Sequence, residues 1–445
     1  MRSDIMPYLR SPNSPVYKVY RAITSPARYI NKQIRPGGIK GSIFNLIWGV
    51  LGTGMLTLPV VCQENGIVFG ACLIALGGLL TIFWGMCIVT CSEKTGSDSL
   101  EYIAHIAFGE FVGKLASYSL LFWLIGYVTS YIVIVKTLAP YLLKRFLGEN
   151  LPSYLMNEYW TQVIVATVYS IFFLLPLSLP RKMGALRFTS LFGFVCCVFL
   201  VWVITLIFIF SRVVVPDPVE NIKVADYAKF SFSGIFSTFP FIISSYMYQP
   251  MIPAIYKNLE RPNFRRMEKV VLRGSYGAVF MYILIAVFGY LTFAGDSEQL
   301  DVLKRKQNIL ECNYHQNFYF EIAMVSLIFT IMTAGPLWMI PLKDTWEDMF
   351  YGETIMTDVQ NVTVTVMLIA IWYLAAIIVP SIGDVITILG LTWNPFIGFF
   401  LPVLWFLKLD PDCSIVMKTL SLAILAITIM TSVFGLYDYI ASIIF

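Results

Sequence analysis

The sequence predicts an all-α polytopic membrane protein, and three observations carry that prediction. Eleven apolar runs of about 20 residues, the length a helix needs to cross a bilayer core of about 30 Å, punctuate the 445 residues. Charged residues make up only 13% and apolar ones 58%, against about 25% and about 45 to 50% in soluble chains. No stretch alternates apolar and polar residues at the period of a barrel strand. A mean hydropathy of +0.74 with 16% aromatics excludes a soluble enzyme, a disordered chain and a nucleic-acid binder. The lipid bilayer is the first partner that the composition names.

The runs cover residues 42 to 63, 67 to 90, 115 to 138, 160 to 178, 188 to 210, 230 to 256, 271 to 294, 318 to 341, 361 to 379, 385 to 407 and 414 to 435; they are segments one to eleven below. Residues 1 to 41 are polar and basic without the apolar core of a cleavable signal, so they read as a cytoplasmic tail, and segment one targets the chain. Within the tail, VYKVYRAITSPARYINKQIR (16 to 35) either lies on an anionic leaflet or moves freely. Residues 42 to 407 form a ten-segment core, and 408 to 445 an eleventh helix with a short C-terminus. Only KLDPDC (408 to 413) separates the last two segments, which admits reading them as one hairpin. Alternate loops hold 22 and eight of the 31 Lys and Arg, with Lys136 left inside segment three. The richer set belongs in the cytoplasm, which places the N-terminus inside and the C-terminus outside. The sequon Asn361-Val362-Thr363 then borders the cytoplasm and is expected to stay unmodified.

The residues that usually carry chemistry are scarce. Cys62, Cys72, Cys87, Cys91, Cys196 and Cys197 fall in or beside apolar runs, where a thiol acts as a small hydrophobe. Cys312 stands in a long polar loop and reads as an exposed thiol or half of a bridge with no obvious partner. The only histidines, His105 and His315, are placed in loops, so haem, zinc and His catalysis have almost no ligands. No metal, cofactor or catalytic residue is expected. SIGD (381 to 384) lacks the first glycine of an intramembrane aspartyl protease, and no H-E-x-x-H or nucleophile elbow occurs. A channel is disfavoured because no selectivity-filter sequence is present. Lys136, within two turns of the end of segment three, either snorkels to the headgroups or makes a structural ion pair or gate.

Two segments carry the signature of a broken helix. Segment one holds NLIWGVLGTGMLTLP (45 to 59), with Gly49, Gly52 and Gly54 at mid-span and Pro59 beyond. Segment six holds FSFSGIFSTFPFIISSYMYQPMIPAIY (230 to 256), with Pro240, Pro250 and Pro253 around Ser244 and Ser245. Non-helical backbone at membrane depth is tolerated only around a cavity or inside protein. Segments one and six occupy matching places if the chain is two five-helix repeats of inverted topology plus one helix, and such a pair marks a midplane site in secondary transporters. A broken helix offers amides to an anionic group and carbonyls to a cation, which suits an amino-acid zwitterion.

GTGMLTLP (52 to 59), AIYKNLERPNFRRMEKVV (254 to 271), GPLWMIPLKD (335 to 344) and IIVPSIGDVITILG (377 to 390) resemble recurring motifs of the amino acid/auxin permease family. The form of the segment-one break is most similar to that of the proton-coupled and organellar branches. The resemblance covers nearly the whole chain from Gly38. It implies a LeuT-type fold, with residues 42 to 407 as the transport core, and amino acid transport by alternating access, driven by a proton gradient, a sodium gradient or exchange. Carried over, it puts the substrate carboxylate on the backbone of Gly52, Thr53, Gly54 and Met55, and the amine at Ser244, Ser245 and Tyr246. Phe239-Pro240 is the competing place for the second break, because the family's Cys-His is Tyr248-Gln249 here. Tyr127 and Tyr131, one turn apart, wall a side-chain pocket or merely pack.

For the coupling ion, Trp48 and Leu51 offer carbonyls, and Thr330 and Thr333 are neighbours on segment eight. A proton carrier needs a buried titratable group, whereas Glu64, Glu321 and Asp384 lie near segment ends, Asp384 as part of a helix cap with Ser381 and Gly383. The expected activity is transport of a neutral amino acid, coupled to a proton or another cation or run by exchange, in the plasma membrane or a vacuolar or lysosomal membrane. Replacing sodium by choline is expected to leave uptake largely unchanged, and Gly54→Val to stop it with folding largely intact. The alternative is a membrane amino-acid sensor that uses the same site and reports through residues 16 to 35.

Overall fold

The computed structural model describes residues 37–147, 157–180, 186–315, 317–351 and 356–444, without the side chains of 186–190, 333, 337, 340 and 442–444. The tail stretch over 16 to 35 therefore lies outside the described residues, as does the side chain of Thr333. Every regular element among those described is helical.

Eight helices are long and apolar enough to cross a membrane: Ile67–Thr95, Glu110–Leu147, Glu158–Ser178, Leu191–Phe210, Phe264–Phe293, Phe318–Phe350, Asp358–Ile378 and Ile415–Ala441. They are segments two to five, seven to nine and eleven, so ten and eleven are separate helices. Segment one, Ile39–Val50 followed by Thr53–Asn65, bends by 53°, and segment ten, Ile382–Leu391 followed by Trp393–Leu409, bends by 41°. Segment six divides into Phe232–Ser245 and Ile252–Lys257 with a short turn, Gln249–Met251, between them. Length and apolarity thus give up to ten crossings; an eleventh requires the two short halves of segment six to cross together.

Local chemistry sets the ends. Ser231, Asn263, Asn317, Thr357 and Ser381 each accept an amide from the first turn of the helix they precede. Ser381 also donates to the Asp384 carboxylate at 2.6 Å, so the cap at segment ten is reciprocal. Between segments one and two, Gly66 has φ 80°, and a Cβ there would meet the backbone of Tyr227 and Ala228 at 2.8 Å. Only glycine fits that turn.

Segments one, two and seven pack together, with six against one and two; three, four, eight and nine form a second group; five lies between seven and eight. Segment ten leans on six and three, and eleven on six and ten. Segment three is the most enclosed, with 78% of its most apolar stretch buried against 33% in segment two. Large apolar side chains such as Phe111, Phe172, Phe210 and Ile378 face outward, as a lipid-exposed surface requires.

Four expectations are corrected here. His105 is on a helix, Leu100–Phe108, because Ser99 caps it. Cys312 is 4% exposed; burial pushes its thiol up to about 12, and it is unbridged. Lys136 does not snorkel: it is 3% exposed and donates to the carbonyls of Ala376 and Val379 at 2.5 and 2.7 Å. Those acceptors are helix-end carbonyls, neither an ion-pair partner nor headgroups. The second break does not fall at Phe239-Pro240, since Phe232–Ser245 runs through Pro240 as one helix.

Candidate substrate site

The break in segment one is built by an inverse γ-turn. Leu51 adopts φ −69°, ψ 67°, and the Gly52 amide turns back to the Val50 carbonyl at 2.7 Å. The Trp48 carbonyl thereby loses its helical partner. A short 3₁₀ turn, Thr53–Leu56, follows, closed by the Thr57 hydroxyl on the Gly54 carbonyl at 2.9 Å. Among the described residues no hydrogen bond takes up the amides of Thr53 and Gly54. Both residues are buried, and orphaned buried amides are rare enough to need a reason.

The break in segment six is organised in the opposite sense. Helix Phe232–Ser245 ends with the Tyr246 amide on the Ile243 carbonyl at 3.2 Å. Tyr246 then points away from segment one, its hydroxyl donating to the Ile74 carbonyl at 3.0 Å. Tyr248 reaches Ser275 at 2.9 Å, and Gln249 donates to Thr81 at 3.2 Å. The Ser245 hydroxyl donates to the Phe241 carbonyl at 2.7 Å. Ser244 donates to the Ile386 carbonyl at 3.1 Å and accepts from Asn394 Nδ2 at 2.7 Å. Asn394 Oδ1 in turn accepts from Trp123 Nε1 at 2.7 Å, so the bend of segment ten is tied to both six and three.

The two breaks touch. A Cβ on Gly54 would lie 2.8 Å from the Ser245 Cα and 2.7 Å from its Oγ, so this glycine sets how closely segments one and six approach. Gly54→Val would thus disturb packing as well as carboxylate access, which corrects the expectation of intact folding. Tyr282, on segment seven, places its hydroxyl 2.6 Å from both the Val50 and the Ser245 carbonyl. One hydroxyl proton serves the last carbonyl of each broken half.

Beside the first break lies a cavity of about 30 Å³, lined by Trp48, Gly49, Leu51, Gly52, Thr53, Leu56, Tyr131, Cys197, Leu327, Thr330, Ile331, Ala334 and Trp338. That volume holds a water or two and no amino acid, so the site is closed in this conformation. The structure brings Gly52, Thr53, Tyr131, Trp48, Leu51 and Thr330 to it. Gly54, Met55, Ser244, Ser245, Tyr246 and Tyr127 do not line it. Tyr127 packs behind the wall, 5.6 Å from the Tyr131 ring and 5.4 Å from Trp338. Trp338 Nε1 donates to the Tyr131 hydroxyl at 3.0 Å, and Cys197 donates to the Leu51 carbonyl at 3.4 Å. Sequence reasoning missed Trp338, Cys197, Asn394 and Tyr282. Trp338 was within reach, since it stands in the GPLWMIPLKD motif; the others carry no local signal.

Among the described residues no acidic side chain lines the cavity. Glu64 pairs with Lys304 at 2.9 Å and Glu321 with Arg145 at 2.6 Å. Asp384 accepts from Ser381 and from Tyr439, the latter at 3.1 Å.

Comparison with known proteins places this geometry. The transmembrane amino acid transporter protein family matches residues 35–444. The sodium-coupled neutral amino acid symporter 2 of Danio rerio is 25% identical over 396 residues, which span 83% of this chain and 75% of the relative. The crystal structure of MhsT in complex with L-phenylalanine superposes with a TM-score of 0.59 at 13% identity, covering 87% of this chain and 98% of MhsT. That likeness identifies the fold as LeuT-type. A family match over almost the whole length of a multi-pass helical chain shows that this protein belongs to the transmembrane amino acid transporter family.

Proposed function

We propose that the protein carries a small or medium neutral amino acid by alternating access, with the substrate carboxylate on the amides of Thr53 and Gly54. The observation that carries this reading is the pair of unengaged buried amides at the break beside a closed cavity. Opening segment six away from segment one would widen the cavity and bring the backbone of Ser244, Ser245 and Tyr246 to the ammonium. Tyr131 and Trp338 would face the side chain. The absence of acidic groups among the lining residues favours a neutral over a cationic substrate. Segment six crosses as two halves, which gives eleven crossings, a ten-segment core over 42 to 407 and one additional helix. The basic loops place the N-terminus in the cytoplasm.

Sodium is the coupling ion this reading puts first, ahead of the proton or exchange favoured by motif form. Two observations support the change. The acids near segment ends, Glu64, Glu321 and Asp384, are engaged by Lys304, Arg145, Ser381 and Tyr439, while Trp48, Leu51 and Thr330, whose carbonyls and hydroxyl are candidate cation ligands, line the cavity. The relative from Danio rerio is, by name, sodium-coupled. Uptake of labelled neutral amino acids into proteoliposomes, under a sodium gradient, a proton gradient or preloaded amino acid, tests both parts. We expect flux that collapses in choline. Undiminished flux in choline would return coupling to protons or exchange, and no flux of any neutral amino acid would overturn the substrate class.

A further inference from the structure

Two buried lysines outside the site occupy corresponding places in the two halves of the chain. Lys136 stands 26 residues past Glu110, the first residue of segment three, and Lys343 stands 25 residues past Phe318, the first of segment eight. Each is 3% exposed. Each aims its amine at the C-terminal end of another helix. Lys136 donates to Ala376 and Val379 at the end of segment nine, at 2.5 and 2.7 Å. Lys343 donates to the carbonyl of Ser178 at 2.8 Å and to those of Leu179 and Pro180 at 3.4 Å, all at the end of segment four.

The receiving ends match as well. Segments four and nine are both 21 residues long, and they run into Leu179-Pro180 and Val379-Pro380, each 200 positions apart in the chain. Both helices stop at matching positions just before a proline, although Val379 leaves helical geometry (φ −80°, ψ 124°) while Leu179 keeps it (φ −65°, ψ −38°). Stopping there leaves carbonyls without amide partners and the negative end of a helix dipole inside apolar surroundings. A lysine amine, with three donors and a positive charge, answers both needs. At the second clamp Asn361 completes the arrangement: its Oδ1 accepts from Lys343 at 3.0 Å, and its Nδ2 donates to Leu179 at 3.1 Å.

Consecutive segments run in opposite directions, so three and nine end on one side of the bundle and eight and four on the other. We propose that Lys136 and Lys343 are repeat-related clamps, one at each face, that fix the unbroken group of segments three, four, eight and nine while the broken group moves. They are positioning residues for transport: neither lines the cavity. The bonds described above join helices of the same group, three to nine and eight to four. A strut that must persist through the cycle has to be placed in this way. The transport part of the proposal rests on the function proposed above; the clamp itself does not.

The test compares Lys136→Met and Lys343→Met in the reconstituted full chain by amide hydrogen exchange and by amino acid uptake. Removing the helix-end charge is expected to raise exchange roughly tenfold at the helix end each lysine holds, around Val379 in the first variant and around Leu179 in the second, with the other end unchanged. Maximal uptake rate should fall several-fold in both with KM unaltered. Should a Met variant fail to insert, Lys→Gln, which keeps an N–H donor without the charge, is read in the same way at smaller amplitude. Exchange that stays at the parental level, rises at the wrong end, or rises locally with uptake untouched overturns the proposal. A parent that moves no amino acid would sink the transport reading, while the exchange comparison would still decide the clamp.

Discussion

The two helix breaks differ in what they do with their polar groups. In segment one the chain turns at Leu51 and leaves the amides of Thr53 and Gly54 unengaged beside the cavity. In segment six, Tyr246, Tyr248 and Gln249 plug into segments two and seven, and Ser244 is held by segment ten. One break keeps free amides and the other is tied into the protein. Similar proline and glycine punctuation therefore yields different roles, according to whether neighbouring helices supply partners. In the proposed function the unengaged break receives the substrate and release of the tied one opens the cavity.

The strongest way to break this comparison is Gly54→Val. The new side chain would collide with Ser245 at the contact between the breaks, costing about 1 to 3 kcal/mol of overpacking, and we expect lost uptake together with a lowered melting temperature. Normal uptake would show that the breaks need not touch. Tyr282→Phe removes the hydroxyl shared by the Val50 and Ser245 carbonyls. Leaving a buried carbonyl unpaired costs about 1 to 3 kcal/mol, so uptake should slow roughly tenfold, and an unchanged rate would mean that the breaks hold together without it. Asn394→Ala frees Ser244 and strands Trp123 Nε1. A loss of about 1 kcal/mol predicts a roughly fivefold change in rate, confined to the tied break, so substrate affinity should move less than rate.

The smallest effect lies away from both breaks and sharpens the contrast as a control. Burial holds the Glu101 carboxyl above its ordinary value, partly offset by a hydrogen bond from Thr345 and reinforced by Asp348. A carboxyl raised in the folded state binds its proton more tightly there than when unfolded. Docking of helix Leu100–Phe108 therefore has this stability in full below the ordinary carboxyl value and loses it as pH rises through the raised one. Melting temperatures of the parent and Glu101→Gln, measured across acid pH, should converge as pH falls. A constant gap would contradict the assignment.

Much of the fold was legible because lipid imposes simple rules. Apolar length marked the segments, although three, eight and eleven run on well beyond their apolar runs, to Leu147, Phe350 and Ile444. The segment-one break was legible from Gly49, Gly52 and Gly54 followed by Pro59 and from the matching place of segment six, since a glycine pair alone, such as Gly77-Gly78, sits in a continuous helix. The second break was harder. Pro240 sits inside a continuous helix, and Tyr246 faces segment two, since which way a side chain turns depends on partners such as Ile74, 172 residues away. Tyr282 was invisible for the same reason: its acceptors lie 232 and 37 positions away in the chain. Lys136 was noticed for its cost, but its acceptors at Ala376 and Val379 were not.

The central claim is that the amides of Thr53 and Gly54 receive a carboxylate, and it is tested most directly without altering the protein. Equilibrium binding of labelled neutral L-amino acids to the purified chain would be measured beside binding of the corresponding carboxamides, which keep the ammonium and side chain but lose the negative charge. Loss of a charge-assisted hydrogen bond at the break predicts carboxamide binding weaker by roughly tenfold or more. Equal affinity for acid and amide would contradict the account and remove segment one as the carboxylate site.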